Sequence, residues 1–227
     1  MVDDGTCVLL FVKYPKKGQV KKRLSTDLPT DIVVELYRNF VQDILSTLEK
    51  LRIHFLICFT PQNSKKIFMD WLGTSHCFVP QKGHDLGERM KQGFLHAFTE
   101  GFKRVILIGS DIPDLPSVYI ENACDSLGVY DVVIGLSSDG GYYLIGFTDT
   151  TFLPGVFEQI HWGDSTVFQE TVNRCQQAGY RIKLLPVWSD IDTFVDLKNM
   201  IRRNHRTAFQ SSHTMSYVMR HPELFTS

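Results

Sequence analysis

Six cations crowd one short stretch of the chain with no acid among them: Lys13, Lys16, Lys17, Lys21, Lys22 and Arg23. An arginine fork matches the oxygens of a phosphate and a lysine offers a point charge, so such a cluster suits a polyphosphate. Gly18, in the same stretch, lets backbone turn closely around a ligand. A solvated basic loop is the plainer reading. Position favours the cradle, because the stretch follows the first apolar run, Thr6 to Val12, where open α/β sheets bind mononucleotide phosphates. It is neither a Gly-x-x-x-x-Gly-Lys-Ser/Thr loop nor a Gly-x-Gly-x-x-Gly loop.

Carboxylates recur at comparable places. Asp111, in Gly109-Ser110-Asp111-Ile112-Pro113-Asp114, stands where an apolar run meets the surface. A carboxylate there is placed to hold a hard divalent cation, magnesium or manganese, beside phosphates. Asp114 is assigned a turn or cap role for the helix expected from Ser117. Further on, Asp190 and Asp192 point the same way if their segment is extended, and one of them, Asp192 in this reading, completes the metal site with Asp111. Thr193 is an N-cap with Asp196 three residues on. Asp139-Gly140-Gly141 is a hairpin-like turn whose paired glycines also admit a ligand to the backbone. Trp162 stacks on a sugar or base, or is core, and Asp164 to Thr166 opens a helix able to face an anion. The eight histidines form no metal-like cluster, and His54 is taken for a packing residue. There is no Gly-x-Ser-x-Gly elbow and no Cys–His pair suited to nucleophilic catalysis.

The elements that must position these residues alternate. Strands are expected over Thr6 to Val12, Ile53 to Phe59, Arg104 to Ile108, Asp131 to Leu136, Tyr142 to Phe147 and Ile182 to Val187. Helices are expected after the cap candidate Asp31, over Ser64 to Leu72, through Leu86, Met90, Phe94 and Phe98, and over Ser117 to Leu127, Asp164 to Ala178 and Phe194 to Arg203. This order implies a three-layer α/β/α sandwich around a mostly parallel mixed sheet. One domain spans residues 1–227, with 204–227 a C-terminal extension, irregular or a short helix.

Composition bounds the function. With 24 Lys+Arg against 25 Asp+Glu, the net charge of -1 argues against a general nucleic-acid or membrane-surface binder. The five cysteines are scattered and never form Cys-x-x-Cys, which fits reduced, mostly buried thiols. The acidic start lacks the marks of a signal peptide, and no apolar run nears membrane-spanning length, so the expected location is cytoplasmic.

In chain order the motifs are Phe11-Val12-Lys13-Tyr14-Pro15 with Gly18-Gln19-Val20-Lys21-Lys22-Arg23-Leu24, then Asp85-Leu86-Gly87-Glu88-Arg89-Met90, Gly109-Ser110-Asp111-Ile112-Pro113, Asp139 to Gly146, Trp162, and Asp190 to Thr193. Together they resemble the glycosyltransferase-like family found beside radical-SAM genes in bacteria and archaea, a domain of unknown function that includes arsenosugar-biosynthesis-type transferases. The resemblance spans the chain to about Leu197 and implies the nucleotide-diphospho-sugar transferase fold, known as GT-A. It also implies that Lys13, Lys21 and Arg23, with Gly18, Gly87 and Arg89, face the nucleotide phosphates, and that Asp111 is the metal-binding carboxylate. Asp139, Gly140 and Gly141, with Trp162 and Asp164, would border the sugar or acceptor, Asp139 orienting the acceptor hydroxyl. Lys22 stands where that family usually has Thr, and Gly163-Asp164 are inserted in its Trp-Ser-Thr. The architecture is also similar to molybdopterin-cofactor and phospholactate nucleotidylyltransferases.

The expected activity is thus metal-dependent transfer of a sugar from a nucleotide-diphospho-sugar to a small-molecule acceptor. The alternative is nucleotidyl transfer from an NTP to a phosphorylated small molecule. A third reading, a non-catalytic nucleotide-binding protein, leaves two edge carboxylates without a use.

Overall fold

The computed structural model describes residues 5–225; residues 1–4 of the acidic start lie outside them. The strands are β1 (Thr6–Lys13), β2 (His54–Thr60), β3 (Phe78–Pro80), β4 (Arg104–Gly109), β5 (Val132–Ser137), β6 (Tyr142–Thr148) and β7 (Ile182–Trp188). They form one sheet in the order β3-β2-β1-β4-β6-β5-β7. Pairing is parallel except where β6 meets β4 and β5.

The helices are α1 (Thr30–Leu51), α2 (Lys65–Leu72), α3 (Leu86–Thr99), α4 (Ser117–Ser126), α5 (Val167–Gln177), α6 (Phe194–Asn204) and α7 (His213–Arg220). Alternation along β1 splits the core between them. Val8, Leu10 and Val12 face α1, α2 and α4, where Tyr37, Phe68 and Ile120 pack. Cys7, Leu9 and Phe11 face α3 and α5, where Phe94 and Val172 pack. Each such side chain taken from water contributes about 1.5–3 kcal/mol. Layers on both faces of a mostly parallel sheet are what the alternation of elements implied.

The differences have local causes. β3 is only three residues long and ends on a proline, too short for periodicity to reveal. α1 starts at Thr30 with Pro29 in the cap position, so Asp31 serves the first turn's dipole rather than capping it. α5 starts at Val167, not Asp164, because the Phe168 N–H, which a longer helix would give to Asp164, donates to the Gly140 carbonyl. His54 is exposed, lying against Phe102 at a ring distance of 6.0 Å. The thiols of Cys7 and Cys175 are buried, which pushes them up to about 12 and about 11. No helix among the described residues is long and apolar enough to cross a membrane.

The segment after 204 is packed structure. α7 joins α1 and α6 in a third apolar cluster, with Met215 and Val218 against Phe40 and Met200. Buried Asp43 on α1 caps α7 from outside: it accepts the N–H groups of His213 at 2.7 Å and Thr214 at 2.9 Å. Burial raises the Asp43 carboxyl above its ordinary range despite the opposing pull of those donors. A group raised on folding contributes stability below its ordinary pKa and loses it as pH climbs through the folded value. Asp43→Ala should therefore cost about 1–2 kcal/mol, with the gap to wild type widest in acid and narrowing toward neutrality. Urea denaturation in mildly acidic and neutral buffers checks the sign.

Candidate active site

The topology brings the chemistry to one edge. β1 has β2 on one side and β4 on the other, so the order of strands reverses beside it, and ligands bind at such points outside the carboxyl ends of strands. Lys13 ends β1 and Ser110-Asp111 follow β4. Because β6 is reversed, the Asp139–Gly141 turn before it lies at the same edge, and Asp190 and Asp192 follow β7 there. A cavity of about 670 Å³ opens at this edge. It is lined by Lys13, Lys21, Lys22, Arg23, Arg89, Asp111, Asp139, Gly141, Trp162, Asp164 and Asp192, together with residues that sequence reasoning passed over. Gly18, Gly87 and Gly140 are not among its lining residues.

Lys21 does not reach outward as its neighbours do. Its φ of 46° is left-handed, and its carbonyl accepts from Ser25 N at 3.1 Å and Ser25 Oγ at 3.3 Å. The turn anchors on fully buried Leu24 and aims the lysine inward. Its Nζ lies 2.8 Å from Asp111 Oδ1 and 2.8 Å from Asp192 Oδ1, with 3% of the side chain exposed. Burial alone would lower the ammonium's pKa, but the two carboxylates more than offset that and raise it. Burial likewise pushes Asp192 up, yet Lys21, with Arg23 and Lys13 behind it, holds its carboxyl below the usual range.

The two carboxylate segments are stitched together. Ile191 N donates to the Asp111 carbonyl at 2.9 Å. Asp192 is fixed at the start of α6, where Thr193 and Asp196 form a reciprocal capping box and Asp192 N also donates to Asp196 Oδ2. Asp190 is held apart: it accepts Ser137 Oγ at 2.7 Å and borders a recess of about 120 Å³ shared with Asp139. Burial raises the Asp190 carboxyl, and the charges of Asp139 and Asp192 add to the effect. Lys21 therefore couples Asp111 to Asp192, not to Asp190.

Two lining residues, Tyr37 and Gln81, gave no sequence signal. Tyr37, on the buried face of α1, accepts Lys13 N and shares a hydrogen bond with Ser110 Oγ, both at 2.9 Å, tying the ends of β1 and β4 together. Burial and the Asp111 charge push its phenol upward, so it stays protonated. Gln81, buried beyond β3, donates its amide to the Cys58 carbonyl at 2.6 Å. Its place at the edge depends on a strand that the sequence did not reveal.

Asp139 and the glycines have structural work as well. Asp139 Oδ1 accepts Gly141 N at 3.0 Å, closing its own turn. Gly140 has φ +93°, and a Cβ there would come within 2.3 Å of the Ser165 carbonyl. Gly87 underlies Trp162, whose ring meets Tyr142 edge-on at 6.4 Å. A Cβ at Gly87 would lie 2.2 Å from the Phe157 carbonyl and 2.7 Å from the indole. Alanine gains about 1 kcal/mol over glycine inside a helix, but a clash with backbone costs about 1–3 kcal/mol. Gly87→Ala should therefore destabilise the fold, and a higher urea midpoint than wild type would contradict this packing.

Among the described residues no group of three or more His, Cys, Asp or Glu side chains could hold a metal. Asp111 and Asp192, 44% and 37% exposed, fit a cation that takes one or two carboxylates and fills its remaining positions with water and substrate phosphates.

The family described as "Uncharacterized protein conserved in bacteria (DUF2064)" matches residues 44–164. A search of curated proteins finds no match. Among solved structures, a "putative nucleotide-diphospho-sugar transferase" from Desulfovibrio desulfuricans is 42% identical with a TM-score of 0.95, covering 100% of this chain and 98% of that one. A cytidylyltransferase from Leptospira borgpetersenii aligns at 15% identity and TM-score 0.55, covering 97% and 96%. The 4-diphosphocytidyl-2C-methyl-D-erythritol synthase from Anaerococcus prevotii aligns at 11% and 0.56, covering 89% and 100%. The last two likenesses are of fold. The architecture is that of nucleotide-diphospho-sugar transferases and cytidylyltransferases, and the chain belongs to the DUF2064 family of bacterial proteins.

Proposed function

We propose that this protein is a divalent-metal-dependent transferase that moves a sugar from a nucleotide-diphospho-sugar to a small-molecule acceptor. The observation that carries the reading is how charge is divided around one cavity. Lys13 lines it from the end of β1, Lys22 and Arg23 from the loop that follows, and Arg89 from α3. The β5–β6 turn and the approach to α5 contribute Asp139, Asp164, Tyr142 and Trp162, and no cation. The likeness to the Desulfovibrio protein points the same way.

In this reading Lys13, Arg23 and Arg89 bind the diphosphate oxygens, Arg by its planar fork. Asp111 and Asp192 would hold magnesium or manganese, which when bound neutralises diphosphate charge and stabilises the departing nucleotide. Tyr37 keeps Lys13 and Ser110 in place from below. Asp139 keeps Oδ1 on its own turn and offers Oδ2 to orient an acceptor hydroxyl. A phosphorylated acceptor would meet the carboxylates of Asp139 and Asp164, whereas a neutral polyol would not be repelled.

The alternative is nucleotidyl transfer to a phosphorylated small molecule with release of pyrophosphate. Lys13, Lys21, Lys22 and Arg23, all lining the cavity, favour it, since a triphosphate carries more charge than a diphospho-sugar. A panel of nucleotide-sugars and NTPs, each with and without magnesium or manganese, separates the two. A ligand at a hundredfold excess over its dissociation constant stabilises the fold by about 2.7 kcal/mol. The expected result is metal-dependent stabilisation by one nucleotide-sugar beyond its parent NTP, with release of a nucleoside diphosphate. Pyrophosphate released from an NTP would establish the alternative, and silence across the panel would remove both.

A further inference from the structure

Lys21 sits where a cation held by Asp111 and Asp192 would compete with it. Its Nζ is 2.8 Å from one oxygen of each carboxylate. Only 3% of its side chain is exposed, against 44% and 37% for its partners, so the ammonium lies beneath the pair while the carboxylates still face the cavity. This is not a loose surface pair, whose contribution solvent would largely screen. The left-handed backbone at Lys21, rarely adopted by a residue with a side chain, and the Ser25 bonds to its carbonyl commit the loop to this inward pose.

The charge arithmetic follows. Two ionised carboxylates present two negative charges to an arriving cation, and with the ammonium between them they present one. A divalent ion that takes both side chains must share or displace the oxygens Lys21 holds. A phosphate entering the cavity gives the ammonium another partner and supplies the missing negative charge, because Lys21 also lines that cavity.

We propose that Lys21 is a tethered counter-ion that keeps free divalent cations off Asp111 and Asp192, and yields those oxygens only when a phosphate chain enters the cavity. The inference rests on the reading of Asp111 and Asp192 as cation-holding residues. Lys21 thereby makes cation and nucleotide binding mutually dependent: each is weak alone and each strengthens the other. The lysine is a specificity-determining residue here, not merely another phosphate contact.

The test is the affinity of the nucleotide-free protein for Mn²⁺, read from the loss of the free-ion electron paramagnetic resonance signal. Lys21→Met and Lys21→Gln should bind Mn²⁺ about tenfold more tightly than wild type, or better, since a unit charge close to the ion has been removed. Mn²⁺ should also raise the thermal midpoint of these variants more than that of wild type. With wild type itself, pyrophosphate should give a ternary protein–Mn²⁺ complex, seen as water-proton relaxation above that of Mn²⁺-pyrophosphate alone. This second measurement stands even if the substitutions impair folding. Wild type binding Mn²⁺ alone as tightly as Lys21→Met would overturn the counter-ion role while leaving the cation site intact. No Mn²⁺ binding by any of the proteins, with or without pyrophosphate, would overturn both together.

Discussion

Asp114→Ala should lower the unfolding free energy by about 3–5 kcal/mol, the scale on which a broken buried ion pair strands its partner. The Asp114 side chain is fully buried while Arg203 opposite it is 29% exposed. Arg203 grips it with both arms, Nε at 2.6 Å and a terminal nitrogen at 2.8 Å. Asn204 donates at 2.6 Å and the Trp188 indole at 3.2 Å, and Arg203 also lies over that indole at 5.1 Å. Four donated bonds thus converge on one carboxylate, binding the loop after β4 to the end of β7 and to α6. Arg203→Met alone should cost less, because the guanidinium is partly solvated. In Asp114→Leu with Arg203→Met no charge is left stranded, so the pair should cost less than Asp114→Ala by itself. Urea midpoints at unchanged m-value give the comparison. A loss below about 1 kcal/mol for Asp114→Ala, the value of an exposed pair, would refute this account.

Asp111→Asn should leave the fold standing and reduce turnover by about 10²–10³-fold, the scale reported for removing one preorganised electrostatic contact at a reacting centre. The carboxamide keeps the shape of a side chain that is 44% exposed, and the backbone stitch from Ile191 does not involve the side chain. On the proposed function, what is lost is one of two negative charges beside the diphosphate. The loss should fall on kcat and on the dependence of rate on magnesium concentration, with a smaller change in binding of the sugar end. Wild-type turnover for Asp111→Asn at saturating magnesium would show that the chemistry does not run through this residue. Together the two substitutions separate the support of the site from the site itself: Asp114→Ala should damage stability and activity alike, Asp111→Asn chiefly activity, because Lys21 keeps Asp192 as its charged partner.

Much of this arrangement can be read along the chain because its signals are local. Thr6 to Val12 is an unbroken apolar run and reads as a strand buried on both faces, which β1 is. The alternation of elements carries the layer architecture, and residues just after strands fall at one edge. Asp114 shows where local reading stops. Its neighbours suggest a cap or turn, but its role is set by Arg203 and Asn204, far along the chain. Lys21 is read as one more phosphate contact because five other cations surround it in sequence. Its left-handed backbone points it the other way, and backbone handedness at a lysine has no compositional mark. Gly87 sits in a motif of ligand-facing residues, yet the indole of Trp162, brought in from beyond β6, occupies the space where its Cβ would be. Asp43 gives no signal for the same reason: a cap supplied by another helix leaves no trace near α7, the short helix that is one of two readings of the segment after 204.

The bond from Ile191 to Asp111 also sets when, during synthesis on a ribosome, the molecule acquires its chemistry. β1 pairs with both β2 and β4, and all three are complete by Gly109, so a nascent chain can assemble that part of the sheet early and already display the basic loop and Asp111. Asp192 arrives only after β5, β6 and β7 have been made. Until then Lys21 has one carboxylate where the finished protein gives it two. A growing chain should therefore be unable to sequester nucleotide and metal before nearly all of it has emerged, and ribosome-bound chains stalled ahead of residue 190 should not retain Mn²⁺ with pyrophosphate.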